Sequence, residues 1–301
     1  MKQETNSKQS LTSEGLTYDS SLSTAQVSNS TSTSSATIIN HRIFLVRHGD
    51  VDLPSGVCYG QLDCAVTSSF SKDVQKLIDY FQTHCLFPEQ QQYPQELPYQ
   101  QELDSPIIIT SPLKRCAQLA EGLQAYFDNK YSGSKDAVSK DVVSKDPILK
   151  DAVSKDLTSK ASSPKNIPSK SPVQINQAFK EINFGQWEGL SWQSIGQKKI
   201  EEWNNDLLNF TFPDGESASG FDQRVVNAWQ VLQQQLAQQT KTQQIIIICH
   251  AGVIRSILSD FLQIPLQHSL TLQIDKMSVS SLQLFPNQSA LSRCTGINHQ
   301  L

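Results

Sequence analysis

The sequence predicts an α/β domain of three layers, with helices on both faces of a mostly parallel central sheet. Three aliphatic runs indicate the sheet, namely Ile43–Val46, Ile107–Ile109 and Ile245–Ile248. Short runs of this kind, without polar alternation, are typical of parallel strands that are buried on both faces. The segments between the runs are amphipathic, and a repeated order of strand and helix predicts the α/β class.

Three segments carry apolar side chains at the spacing of one helical face. They are Val74–Phe81, Phe221–Leu236 and Ile254–Phe261. In each, the apolar residues recur three or four positions apart and can therefore pack against one face of a sheet. In sheets of this class ligands bind beyond the carboxyl ends of the strands, so the residues that follow each aliphatic run are the candidate site.

The composition predicts that parts of the chain lie outside the packed core. The hydrophobic fraction of 38% is low for a fully packed chain of 301 residues. Residues 1–38 are rich in Ser and Thr without periodic apolar positions, which predicts a disordered tail. Residues 87–101 are rich in Gln, Pro and Tyr and predict a surface loop.

A repeat interrupts the predicted domain at 131–172, where Lys recurs at every fifth position. This period matches neither a strand nor a helix, so the repeat is interpreted as a low-complexity insertion, with a β-helical stack as the alternative. The domain is expected to span 39–290 around this insertion, and residues 291–301 are expected to form a C-terminal tail.

Composition narrows the classes of partner. The net charge is −4 and Lys and Arg form no separate cluster, which argues against nucleic acid. The N-terminus lacks the apolar segment of a signal peptide, and no aliphatic run approaches the roughly 20 residues of a membrane span. The cysteines are dispersed without a C-x-x-C pair, which predicts reduced thiols in a cytoplasmic protein and no zinc site.

Groups suited to an anion follow all three aliphatic runs. The first run ends in Arg47-His48-Gly49, the second in residues 110–115 with Arg115, and the third in 249–252 with His250. Gly49 and Gly252 lack side chains and would let the backbone approach a bound group, while Ser111 and Pro112 can begin a helix whose positive end faces the site. A single His or Arg after a strand is usually only a capping or solvated residue. Four of them at three strand ends together predict a phosphate site.

Release of a phosphate ester's alcohol also requires a proton donor. The segment 180–189 offers Glu181 and Glu188 on a glycine-punctuated loop. Phe184 and Trp187 would keep water away from such a carboxyl group. The local sequence equally allows both carboxylates to be ordinary surface acids.

The motifs at 45–49, 110–115, 181–189 and 250–255 together resemble the histidine phosphatase superfamily, and the likeness extends over 39–128 and 173–286. This resemblance implies a phosphoglycerate mutase-like fold and a phosphatase that uses neither a metal nor a cofactor on a small-molecule phosphomonoester. It also implies the residue roles: His48 as nucleophile, Glu181 as acid and then base, and Arg47, Arg115, His250, Gly49 and Ala251 as phosphate-binding residues.

Residues 51–63 are similar to the alpha-ribazole phosphatases of cobalamin synthesis, which carry a D-x-P-x-G-x-C-Y-G-Q-x-D stretch. This likeness implies that the substrate is alpha-ribazole 5′-phosphate and that Tyr59, Gly60 and Gln61 contact it. Phosphoglycerate mutases carry a hydroxyl residue and an asparagine where this chain has Val51 and Pro54, so mutase activity is disfavoured. Asp50 and Val51 depart from the family pattern, and Val51 removes one hydroxyl from the expected phosphate pocket.

Three other interpretations stay open. Residues 249–256 also satisfy the C-x5-R-[ST] pattern of cysteine-dependent phosphatases, with Cys249 as nucleophile. That reading is disfavoured because Ile248 and Ile254 stand where those enzymes usually carry His and Gly, and β-branched residues suit a tight anion loop poorly. The others are a binding module without catalysis, and a phosphatase of broader specificity acting on sugar phosphates, other phosphoesters or a phosphorylated protein side chain.

Overall fold

The computed structural model describes residues 39–84, 105–132 and 172–301. The expected tail at 1–38, the loop at 87–101 and the insertion lie outside this part of the chain, apart from residues 131, 132 and 172 of the insertion. Six strands form one sheet in the order β3-β2-β4-β1-β5-β6. Their bounds are β1 His41–Arg47, β2 Ile107–Thr110, β3 Gln174–Ile175, β4 Gln244–Cys249, β5 Ser278–Leu284 and β6 Arg293–Gln300.

Most of the sheet is parallel, as predicted. β4 pairs in parallel with β1 on one side and with β2 on the other, and β3 pairs in parallel with β2. Only the pairings of β5 with β1 and of β6 with β5 are antiparallel, and β6 forms the edge of the sheet on that side. The carboxyl ends of β2, β4 and β1 therefore lie side by side along one edge of the sheet.

Six α-helices accompany the strands within the described residues. They are α1 Phe70–His84, α2 Lys114–Ser132, α3 Trp192–Ile195, α4 Gln197–Asn205, α5 Ala218–Ala237 and α6 Ala251–Leu262. Short 3₁₀ turns occur at Gln177–Phe179, Gly185–Trp187, Leu266–Thr271 and Ser289–Leu291. None of the helices in this part of the chain has the length and apolar character needed to cross a membrane.

Alternate residues of β4 face two different cores. Ile245 and Ile247 pack among side chains of α5 and α6, whereas Ile246 and Ile248 pack among side chains of α1 and α2. Because successive strand side chains point to opposite faces, an unbroken aliphatic run must be covered on both sides. The predicted three-layer arrangement is confirmed.

A third cluster of aromatic side chains supports the loop that carries Glu181. Trp187 and Phe212 are buried with their ring centroids 5.0 Å apart, and Phe184 lies 4.8 Å from Phe212 in an edge-to-face contact. Trp203 of α4 packs against the same rings. Edge-to-face aromatic pairs of this kind fix the rings relative to each other and hold the loop in one conformation.

The expectation of a C-terminal tail from residue 291 requires correction, because residues 293–300 form strand β6. Its backbone pairs with β5, so that Leu282 lies opposite Cys294 and Ser278 opposite Gln300. The side chains of β6 are exposed or only half-buried along its length. An edge strand of this kind needs no aliphatic run, and the sequence therefore carried no strand signal there.

Candidate active site

The three predicted strand ends meet at one edge of the sheet. His48 follows β1, His250 follows β4, and Arg115 lies in the first turn of α2 after β2. The strand order β2-β4-β1 makes these ends neighbours. The rings of His48 and His250 have centroids 5.1 Å apart, and both side chains are buried.

The hydrogen bonds of His48 assign its tautomer. Arg115 Nε lies 3.2 Å from His48 Nε2, and since a guanidinium can only donate, Nε2 is the acceptor. Nδ1 then carries the proton and donates it to the Gly49 carbonyl oxygen at 2.7 Å. Burial, with Arg115 and Arg47 nearby, lowers the pKa of His48 well below its ordinary value of 6.5. The ring is therefore neutral with a lone pair on Nε2, which is the form a nucleophile requires.

The Arg115 side chain is almost completely buried, at 1% exposure, and its guanidinium is held in place by several contacts. Its two terminal nitrogens donate to the carbonyl oxygens of Leu62 at 2.8 Å and Gly60 at 2.6 Å. Its guanidinium also lies 5.1 Å from the centre of the Tyr59 ring, a cation–π contact. The cation is thus fixed in place with its Nε–H directed at the nucleophilic nitrogen.

Arg47 has a buried N–H group, that of Nε, without a partner among the described residues. Its Nη1 donates to the Ile274 carbonyl oxygen at 2.6 Å, whereas its buried Nε has no partner. A buried donor without a partner costs free energy, so such groups usually serve a bound ligand. A phosphoryl oxygen would satisfy this N–H.

His250 stands at the amino end of α6. Its Nε2 lies 2.8 Å from Ser111 Oγ, and burial with Arg115 and His48 nearby lowers its pKa well below 6.5. Ala251 begins the 12-residue helix behind it, so the helix's positive end and His250 face the same region. An anion placed there would favour a proton on His250.

The carboxylate of Glu181 sits against the first turn of α6. It accepts hydrogen bonds from the backbone N–H groups of Ile182 at 3.1 Å and Gly252 at 3.2 Å. A Cβ atom added to Gly252 would collide with Glu181 Oε1. The glycine therefore makes room for the acid's side chain, not for a bound group as its position in the sequence had suggested.

Glu188 has a structural role that the sequence left open. Its Oε1 accepts the backbone N–H groups of Gln61 at 2.8 Å and Phe184 at 3.1 Å. The Gln61 side chain donates to the Glu181 carbonyl oxygen at 3.0 Å. Gly60 has a φ of +30°, and a Cβ there would lie 2.6 Å from the Ile182 carbonyl oxygen. These contacts join the loop that holds Arg115 to the loop that holds Glu181.

Sequence reasoning missed Glu216 and Arg224, which fix the Glu181 loop from the other side. Arg224 Nη1 donates to the carbonyl oxygens of Ala178 at 2.7 Å and Lys180 at 3.2 Å. Glu216 binds Arg224 and accepts the backbone N–H of Asn183 at 2.8 Å. A signal existed, because Arg224 follows Phe221 by three residues and so lies beside the apolar face of α5.

The alternative nucleophile, Cys249, lies in the core. Its side chain is fully buried at the end of β4, and burial raises the pKa of the thiol well above 9.0. A thiol that stays protonated is a poor nucleophile. Within the described residues, no group of three or more His, Cys, Asp or Glu side chains is placed to hold a metal ion.

The structure thus brings His48, Arg47, Arg115 and His250 to one edge of the sheet with Glu181 against the first turn of α6, and their catalytic roles stay predictions. Gly49 makes room for the Asp73 carboxylate, because a Cβ atom there would collide with Asp73 Oδ2. Residues 163–295 match the family model of the histidine phosphatase superfamily (branch 1). This stretch contains Glu181 and His250 and covers less than half of the chain. No curated protein is significantly similar to the chain in sequence.

Solved structures share the fold at low sequence identity. A mycobacterial glucosyl-3-phosphoglycerate phosphatase is 15% identical with a TM-score of 0.56, and the alignment covers 87% of this chain and 100% of that one. An alpha-ribazole phosphatase from Shigella flexneri is 19% identical with a TM-score of 0.55, covering 85% and 96%. The same mycobacterial enzyme with inorganic phosphate bound is 15% identical with a TM-score of 0.54, covering 86% and 98%. The phosphoglycerate mutase-like fold is confirmed.

Proposed function

From the likeness to the histidine phosphatase superfamily we propose that this protein is a phosphatase that acts through a phosphohistidine on His48. The likeness extends over 163–295 in sequence and over most of the chain in fold. The single observation that carries the proposal is the acceptor state of His48 Nε2 opposite the Arg115 Nε–H. A neutral imidazole nitrogen beside fixed cations suits in-line attack on a dianionic phosphoryl group.

In the first step, His48 Nε2 attacks phosphorus and the bond from phosphorus to the ester oxygen breaks. The Nδ1–H bond to the Gly49 carbonyl orients the ring and stabilises its positive charge as the N–P bond forms. Arg47, Arg115 and His250 stabilise the charge on the phosphoryl oxygens. Glu181 donates its proton to the leaving oxygen, and an alcohol is released.

In the second step, the Glu181 carboxylate removes a proton from a water molecule, and the resulting nucleophile attacks the same phosphorus atom. The N–P bond breaks, inorganic phosphate forms, and His48 returns to its neutral state with the electron pair on Nε2. The acid is protonated again, so that each cycle consumes one ester and one water and yields one alcohol and one phosphate.

For the substrate we propose alpha-ribazole 5′-phosphate, and for the location the cytoplasm. The similarity of residues 51–63 to alpha-ribazole phosphatases supports the substrate, as does the shared fold of the Shigella flexneri enzyme. A sugar phosphate is the second candidate, favoured by the likeness to the mycobacterial glucosyl-3-phosphoglycerate phosphatase. Comparison of kcat/KM values separates the two, and a true alpha-ribazole phosphatase should prefer its substrate by about two decades, or nearly 3 kcal/mol.

The mechanism is tested by trapping the covalent intermediate. Rapid quenching with ³²P-labelled substrate should give an adduct that is labile in acid, stable in base, and located on His48 by peptide mapping. His48→Ala should abolish both adduct and turnover, whereas Cys249→Ser should retain most of both. An active His48→Ala enzyme together with an inactive Cys249→Ser enzyme would overturn the proposal.

A further inference from the structure

A cavity of about 220 Å³ lies beside the Glu181 carboxylate. It is enclosed by the end of α4 and the residues after it, by the first turns of α5 and α6, and by the 3₁₀ turn Leu266–Thr271. Its walls are mainly apolar side chains: Phe184, Trp203, Leu207, Leu208, Phe221 and Leu270. Leu270 is 57% exposed, which places it at the rim.

The polar part of the lining comes from Glu181, from Gly252, Arg255 and Ser256 of α6, and from Gln267 and Ser269 of the 3₁₀ turn. The Glu181 carboxylate is held there by the Gly252 N–H, and Arg255 Nε is bound to the Leu272 carbonyl oxygen at 2.8 Å. In the proposed reaction the leaving oxygen must reach Glu181 to receive its proton. Because Glu181 also lines the cavity, the group attached to that oxygen would extend from Glu181 towards it.

The walls select the chemistry of that group. A sugar hydroxyl moved against Phe184, Leu207 or Leu208 would lose its hydrogen bonds to water without regaining them, which is unfavourable. An aromatic or alicyclic ring loses nothing there and gains contact with the aromatic side chains. At about 30 Å³ for each water, the volume equals roughly seven waters, and it falls below the usual 300–1,000 Å³ of drug-sized sites. The cavity therefore suits one or two rings and excludes a folded protein.

We propose that this cavity is the leaving-group subsite, and that it takes the ring-bearing apolar part of a phosphate monoester. This inference rests on the proposed phosphatase function. It adds a substrate class to it, defined by the cavity's own residues.

The test is a series of esters whose leaving oxygens are all primary alkyl, so that intrinsic reactivity stays nearly constant. The series is ethyl phosphate, 2-phenylethyl phosphate, 2-(1-naphthyl)ethyl phosphate and glucose 6-phosphate. We expect kcat/KM to rise at least tenfold from ethyl to the better arylethyl ester, and glucose 6-phosphate to be no better than ethyl phosphate. If glucose 6-phosphate is preferred, or if the series is flat, the inference is wrong.

Variants connect the preference to the cavity. Leu207→Asn and Leu270→Asn should each lower the arylethyl-to-ethyl ratio of kcat/KM at least fivefold, and Leu291→Asn, which changes a 48% exposed leucine on another surface, should not change it. Leu270→Asn keeps the test valid if Leu207→Asn does not fold, because Leu270 is largely exposed. A ratio that neither cavity variant moves contradicts the inference. Absence of any His48-dependent hydrolysis across the series would instead contradict the proposed function.

Discussion

Arg224 binds Glu216 through two of its N–H groups, with Nη2 2.6 Å from Oε1 and Nε 3.3 Å from Oε2. The same guanidinium donates to carbonyl oxygens on the approach to Glu181, and the Glu216 carboxylate holds the backbone just after it. A bidentate pair of this geometry fixes orientation as well as charge. The position of Glu181, the proposed proton donor, therefore depends on two residues that do not face His48.

The Glu216→Gln variant is expected to lower kcat ten- to hundredfold on alkyl phosphates with little change in KM, since misplaced catalytic groups cost rate. On p-nitrophenyl phosphate the loss should be much smaller, because that leaving group needs no proton. A general loss of folded protein would instead lower the rate equally on both substrates. The matched control is Glu201→Gln on the exposed surface of α4, and an equal loss on both substrates would refute the positioning role.

The Gly252→Ala variant tests whether the reaction depends on the position of the Glu181 carboxylate, because Gly252 lies against it in α6. The added methyl group meets Glu181 Oε1 and would push the carboxylate away from the Gly252 N–H. Hydrolysis of alkyl phosphates should fall by at least one decade while p-nitrophenyl phosphate is much less affected, as measured by kcat for both. Gly220→Ala places a methyl group in α5 near only the Ser217 hydroxyl at 3.2 Å and serves as the control.

Arg115→Ala removes the cation that faces His48 Nε2. The rate should fall by two to three decades, the usual effect of losing one preorganised transition-state donor. Single-turnover measurement should place this loss in formation of the phosphohistidine. Lys114→Ala removes a neighbouring exposed cation that pairs with Asp63 at 3.4 Å and should retain activity. Comparable losses in the two variants would argue for a general effect of charge.

Stability should fall in mild acid because of the two buried histidines. Burial lowers the pKa of both His48 and His250 well below 6.5 in the folded protein, so below pH 6.5 the unfolded chain binds more protons than the folded one. The free energy of unfolding must then decrease as pH falls, by up to about 1.4 kcal/mol per pH unit for each histidine. Denaturant titrations from pH 7.5 to 5 measure this slope, and His48→Asn should reduce it. An unchanged slope in that variant would contradict the shift.

Chelation should not affect the reaction. In the proposed mechanism Arg47, Arg115 and His250 supply the charge that a metal ion supplies in other phosphatases. Turnover after dialysis against EDTA should therefore equal turnover before it. Activity that is lost and then restored by added Mg²⁺ or Zn²⁺ would show that the site is incomplete without a metal.

The strand ends could be found from sequence because aliphatic runs stop abruptly, with Arg47 directly after Val46 and Cys249-His250 after Ile248. The Glu216–Arg224 pair could not be located in this way, since its partners are backbone groups near Glu181 that only the tertiary fold brings close. Glu188 was ambiguous for the same reason. Strand β6 was missed because edge pairing is made by backbone groups and requires little burial of side chains.

The alternation along β4 bears on how this domain tolerates substitution. Ile245 and Ile246 are adjacent in the chain but contribute to cores that the sheet separates. Truncations on the two sides, such as Ile245→Val and Ile246→Val, share few side-chain neighbours, and their destabilisations should be nearly additive. Substitutions in one helical layer should therefore need no compensating substitutions in the other. The residues that follow Cys249 at the carboxyl end of β4, in contrast, lie next to both layers.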